Sequence, residues 1–214
     1  MLSVEEFARR AGISPRAVRQ RAASGTLRAR KVGGRWVIDA EPRRARRSGG
    51  RRLSSRSFDL LAGYIDGERQ DLDPDERRRA KERLRRICED GIAQVGRYAE
   101  RPDLRIERFR ASPEDVSEIR ARSDLALTGI SHPSAEVYGD VVDAYVSSAV
   151  RDELELFHLL VHADEGDVNV VLRVQDPPPT VHSLHVIADL LDDPSSRSRA
   201  EAQRLLAGAL ERAE

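Results

Sequence analysis

Arg16, Arg19, Gln20 and Arg21 follow directly on Ser14-Pro15. A guanidinium presents a fork of donors that matches guanine, and a glutamine amide can both donate to and accept from adenine. At helical spacing these side chains, with Ser14 at the helix start as a further DNA-binding candidate, can read base edges in a major groove. A second basic set, Arg28, Arg30, Lys31 and Arg35, brackets Gly33-Gly34. Cations on such a turn suit phosphate contacts, which set register and carry no sequence information. Other groupings offer less. His158 and His162 are four apart and His182 and His185 three apart, a spacing that could join Asp164 or Asp189 around a metal. A metalloprotease helix needs a glutamate directly after its first histidine, where this chain has Leu159. The acidic runs Asp71-Asp73-Asp75 and Asp192-Asp193 read as helix caps and loop ends. Gly33-Gly34 lacks the Lys-Ser/Thr of a phosphate loop, and no serine stands in a G-x-S-x-G context. The residues therefore predict a binding protein, with no catalytic centre, metal or cofactor.

The elements that must position the basic residues are compact. Ser3 with Glu6 three residues on predicts a capping box, and Val4, Phe7, Ala8 and Ala11 share a helical face. Gly12 supplies a left-handed stop. Ser14 caps a second helix with Pro15 at its first position. Ile13, Ala17, Val18 and Ala22 pack inward, which leaves Arg16, Arg19, Gln20 and Arg21 facing out. Ser24-Gly25 ends that helix, and Leu27 to Ile38 reads as two strands around the glycine pair. Residues 1–40 thus predict a winged helix-turn-helix for double-stranded DNA. In the order of these features the segment resembles the excisionase-like and MerR-like helix-turn-helix domains.

The chain of 214 residues has equal numbers of acidic and basic side chains, 37 of each, but they are segregated. Residues 1–52 carry 15 basic and 4 acidic side chains, about +11, and residues 53–214 carry 22 and 33, about −11. A nucleic-acid-binding head on an acidic body follows. Cys88 is the single cysteine, so an internal disulfide is impossible and a reducing cytoplasm is expected. No leader-like apolar run and no membrane-length apolar segment is visible.

Residues 41–52, with Pro42, arginine pairs and Ser48-Gly49-Gly50, read as a basic flexible linker. Residues 53–214 read as a mostly α, α+β domain. Helices are predicted over 53–65, from Asp73-Pro74 through Val95, over 112–122, 135–146, 182–191 and 195–212. The stripe Ala80, Leu84, Ile87, Cys88, Gly91, Ile92 and Val95 reads as apolar, with Cys88 buried on it, and could serve as a dimer seam. Leu104–Arg110 reads as a short strand, and the end of 154–161 should pair with 168–174 as a hairpin across the turn at 164–167.

The run Arg52–Ser57, the segment L-T-G-I-S-H-P at 127–133, the stretch D-V-N-V-V-L-R-V at 167–174 and the ending A-D-L-L-D-D-P-S-S-R-S-R-A-E-A at 188–202 resemble antitoxins of the abortive-infection AbiE type. That resemblance implies a cytoplasmic antitoxin that represses its own operator and neutralises a nucleotidyltransferase-like toxin. It implies no particular toxin-binding residues. A stand-alone excisionase- or MerR-like transcriptional regulator, with a dimerising or ligand-sensing body, is the other reading of the same chain.

Overall fold

The computed structural model describes residues 2–11, 14–23, 29–38, 52–70, 72–137, 139–163 and 167–213. The chain divides into two compact units, Met1–Arg51 and Arg52–Glu214. The linker residues up to Arg51 lie outside the described residues.

In the first unit, β1 (Leu2–Ser3) leads into α1 (Val4–Ala11), then α2 (Pro15–Ala23), β2 (Ala29–Val32) and β3 (Arg35–Ile38). The Glu6 N–H donates to Ser3 Oγ (3.1 Å), and the Ala17 N–H to Ser14 Oγ (3.2 Å), so both helices start where their caps are written. Each such cap contributes about 1 kcal/mol. Strands β2 and β3 form the hairpin, with Gly33 and Gly34 at φ +55° and +79° in its turn. Only glycine takes two successive left-handed positions at little cost. β1, which the sequence reading missed, adds to β3 antiparallel, Leu2 opposite Ile38. Val4, Phe7, Ala8, Val18, Ala22 and Ile38 make the core.

The second unit runs α3 (Ser55–Ile65), α4 (Pro74–Asp90), α5 (Ile92–Tyr98), β4 (Arg105–Arg110), α6 (Pro113–Arg120), β5 (Ala126–Leu127), a 3₁₀ turn (Gly129–Ser131), β6 (Val142–Val146), α7 (Ser148–Phe157), β7 (Val161–His162), β8 (Val170–Val174), α8 (Ser183–Leu190) and α9 (Ser196–Ala213). The architecture is mixed α+β, as the sequence predicts. Asp73, Pro74 and Glu76 complete the expected capping box: the Glu76 N–H donates to Asp73 Oδ1 at 2.7 Å and the Asp73 N–H to Glu76 Oε2 at 3.2 Å.

The five strands are ordered β5-β6-β8-β4-β7, with β6 parallel to β8 and the other pairs antiparallel. Alternation gives the sheet two characters. Val142, Ala144, Val146, Val170, Leu172 and Val174 join a core with Phe109, Val116, Ile119 and Leu154, under α6 and α7. Asp143, Tyr145 and Arg173 stand on the opposite face. A separate helical core gathers Phe58, Leu61, Ile65, Ile87, Leu184, Ile187 and Leu206 from α3, α4, α8 and α9.

Four expectations are corrected. Residues 142–146 are a strand fully buried on both faces, and no helix covers 135–146. Strands β7 and β8 do not form a hairpin, because β4 lies between them and pairs with both. The long helix stops at Gly91, whose φ of +59° breaks α4 from α5. Cys88 is exposed; Ile87 takes the inward position on that turn.

Candidate nucleic-acid interface

The outward side of α2 is built by what its other side must bury. Val18 and Ala22 turn into the core, and this rotation exposes Arg16, Arg19 and Gln20. Arg21 belongs to the same helix and Arg35 to β3, though their side chains lie outside the described set, as does Arg28 altogether. Ser14 acts as the helix cap, its Oγ committed to the Ala17 N–H.

Arg19 is not solitary. Its Nη2 donates to Glu5 Oε1 at 2.9 Å, tying α2 to the start of α1. Both side chains remain more than half exposed, 54% and 61%, so the pair adds little stability. Across the hairpin Lys31 is paired with Trp36 in register, its Nζ 5.4 Å from the ring centroid. That contact rests the stem on an aromatic and leaves the ammonium exposed. Arg30 is exposed on the same strand. Glu5, Arg19, Lys31, Gly34 and Trp36 line one open cleft of about 640 Å³, with Ser3 and Val4. Helix α2 and the hairpin thus meet at a single concave surface. Glu5 and Trp36 are the members that the sequence reading missed. A lone tryptophan opposite a lysine across a two-glycine turn was the available signal for the second.

The second unit holds a different concentration of charge. Arg173 Nε donates to Asp143 Oδ1 (2.8 Å) and Nη2 to Asp143 Oδ2 (3.0 Å), while Nη1 lies 3.2 Å from Asp189 Oδ1. Arg101 Nη2 donates to the same Asp189 oxygen at 3.2 Å, and Thr128 Oγ1 to Asp189 Oδ2 at 2.8 Å. These groups are buried. Burial pushes the Asp143 carboxyl above the ordinary carboxylate range, against the pull of Arg173. Burial also works against the Arg173 charge, but Asp143 and Asp189 outweigh it and hold the guanidinium protonated. Gly129 makes the cluster possible: its φ is +49°, and a Cβ there would lie 2.4 Å from Asp143 Oδ2. Beside the cluster a cavity of about 330 Å³ opens between Ile130, Val141, Val171 and Pro194, with the Arg108–Asp192 ion pair (2.6 Å) also on its lining. Thr128-Gly129, Arg173 and Asp189…Pro194 come from three of the four segments that resemble AbiE-type antitoxins. The fold brings all three to one place.

His182 and His185 stay together, the His182 backbone N–H donating to His185 Nδ1 at 3.2 Å, but each ring has its own carboxylate partner. His185 Nε2 contacts Asp59 (2.9 Å), His182 faces Asp66 and Glu68, and His162 stacks on Phe109 with centroids 4.5 Å apart. His158 Nδ1 meets Asp115 Oδ1 at 2.8 Å, and with Glu118 these three bring ligand atoms within 4.8 Å of one another. This set differs from those the sequence spacing suggested, and Asp189 is committed to the arginines.

Residues 1–41 match the family described as a helix-turn-helix domain. The first unit is therefore a helix-turn-helix DNA-binding head. No curated protein and no solved structure matches the chain. Among the described residues, no helix is long and apolar enough to cross a membrane.

Proposed function

We propose that the protein is a cytoplasmic, sequence-specific transcriptional regulator that acts as the antitoxin of a toxin–antitoxin operon. It would bind operator DNA through the head and a nucleotidyltransferase-like toxin through the second unit, and it would have no catalytic activity of its own. The observation that carries the DNA-binding part is the convergence of Arg19, Lys31 and Trp36 on one cleft beside the exposed Arg16 and Gln20. Arg16, Arg19, Gln20 and Arg21 would read bases, with Arg28, Arg30, Lys31 and Arg35 on the phosphates. The antitoxin part is supported by the meeting of three resemblance-bearing segments at the Arg173 cluster. The stand-alone regulator shares the head and differs only in what the second unit serves.

Two experiments separate these readings. Binding of the full chain to duplex DNA from upstream of its own gene should be sequence-selective and fall steeply with salt. Loss of selectivity without loss of fold in Gln20→Ala would support base readout there. Co-expression with the product of an adjacent nucleotidyltransferase gene should restore growth and yield a co-purifying complex. If DNA binding is selective but no such complex forms, the stand-alone regulator is the function.

A further inference from the structure

An apolar step stands on the surface of the second unit. Leu156 and Phe157 end α7, Leu159 occupies the following turn and Val161 opens β7; they are 72%, 74%, 78% and 65% exposed. Together they offer about 500 Å² of apolar surface, near the upper end for a soluble monomer. Leu159 has φ +46°, a left-handed conformation that leucine adopts only at a cost. β7 ends the sheet order, and among the described residues no strand covers its outer side. β7 is only two residues long, so its outer edge offers a short pairing, and the apolar side chains beside it must carry most of any contact.

We propose that two copies of this chain meet at this step, β7 antiparallel to β7 of the second copy, with Leu156, Phe157 and Leu159 of each covering the other's. Antiparallel edge pairing is self-complementary about a two-fold axis and closes at two. The apolar area is most of the roughly 800 Å² per partner of a stable interface, and backbone and rim supply the rest. One chain carries one recognition helix, whereas such helices read paired half-sites about 34–36 Å apart or a multiple of that. This last reason rests on the DNA-binding reading; the area and the strand edge do not. The seam therefore lies away from the α4 stripe, whose Ala80 and Ile87 are consumed by the helical core.

The rim gives the interface a signature. Near the step Asp115 is paired with His158, Glu153 with Arg122 and Asp152 with Arg151, and Arg110 stands opposite Val161 in the β4–β7 register, so the charges there are largely balanced. Paired, exposed charges add little across such an interface, so self-association depends on salt far less than DNA binding does.

Sedimentation equilibrium of the full chain across the micromolar range, at low and high sodium chloride, tests this. A dimer little affected by salt is expected. Phe157→Glu and, separately, Val161→Lys should weaken it at least about tenfold, with helical circular dichroism and melting temperature unchanged because both side chains are exposed. A monomer throughout the range, or a dimer indifferent to both substitutions, overturns the proposal. Binding of the same samples to the upstream duplex keeps the two readings apart. A dimer that binds no DNA removes the head's function and leaves the interface; a DNA-binding monomer does the reverse.

Discussion

Glu5 and Arg19 hold each other at 2.9 Å across the two helices of the head, a carboxylate placed on the surface proposed to meet DNA. It restrains the arginine and repels phosphate. Glu5→Gln should therefore raise affinity for duplexes of every sequence several-fold at low salt and lower the ratio of specific to non-specific binding. Fluorescence anisotropy with operator and scrambled duplexes measures both. An unchanged ratio would mean that Arg19 does not read bases.

Lys31 makes a different contribution. Lys31→Ala should weaken all sequences alike and reduce the slope of log K against log salt by about one. The Trp36 ring supports the lysine stem, so Trp36→Ala should mimic part of the affinity loss with little change of slope. A sequence-dependent effect of Lys31→Ala would assign the hairpin to base recognition.

The buried cluster predicts an asymmetry between breaking and replacing. Arg173→Ala strands Asp143 and leaves Asp189 to Arg101, and should cost about 3–5 kcal/mol. Arg173→Met with Asp143→Leu removes both charges of the bidentate pair and should cost markedly less. Urea unfolding of the full chain, followed by a signal from the second unit, compares them. Equal losses would show that the pair acts through shape and not through charge.

His182 links stability to pH. Its hydrogen bond with Asp66 raises its pKa above the ordinary 6.5 against the effect of burial. Burial opposes the lowering of the Asp66 carboxyl, and the hydrogen bonds from His182 and Ser183 prevail. The histidine's contribution is complete below pH 6.5 and is lost as pH rises through the higher folded-state value. Asp66's is present above its ordinary 3.8 and is lost at lower pH. Melting temperature should fall from pH 6 to pH 8 more steeply in the wild type than in His182→Gln. Parallel curves would exclude the pair as the source.

What was legible in the sequence was local. Ser3, Ser14 and Asp73 announce their helices because a cap needs only residues three apart. The two-glycine turn announces its hairpin for the same reason. Residues 135–146 misled because Val137, Val141, Ala144 and Tyr145 happen to share a helical face. The true period, with Val142, Ala144 and Val146 on one side and Asp143 and Tyr145 on the other, is hidden when both sides are buried. The insertion of β4 between β7 and β8 is a long-range pairing that no turn signal reports. For the head, the outward residues of α2 followed from periodicity, whereas the Glu5–Arg19 contact needed the angle between two helices. Arg173 stands inside a β-branched run and Asp189 inside an apolar helix, a signal the sequence reading passed over; only the fold shows that they answer each other.

That answer has a consequence for how the second unit assembles. Arg173 leaves the sheet on the face away from its own apolar core, while Asp189 and Arg101 belong to the helical side of the chain. Apolar surfaces tolerate sliding, but a guanidinium buried one residue out of place meets no carboxylate and loses several kcal/mol. The cluster thus favours a single register: greasy layers can touch in many, and the native one pairs these buried charges.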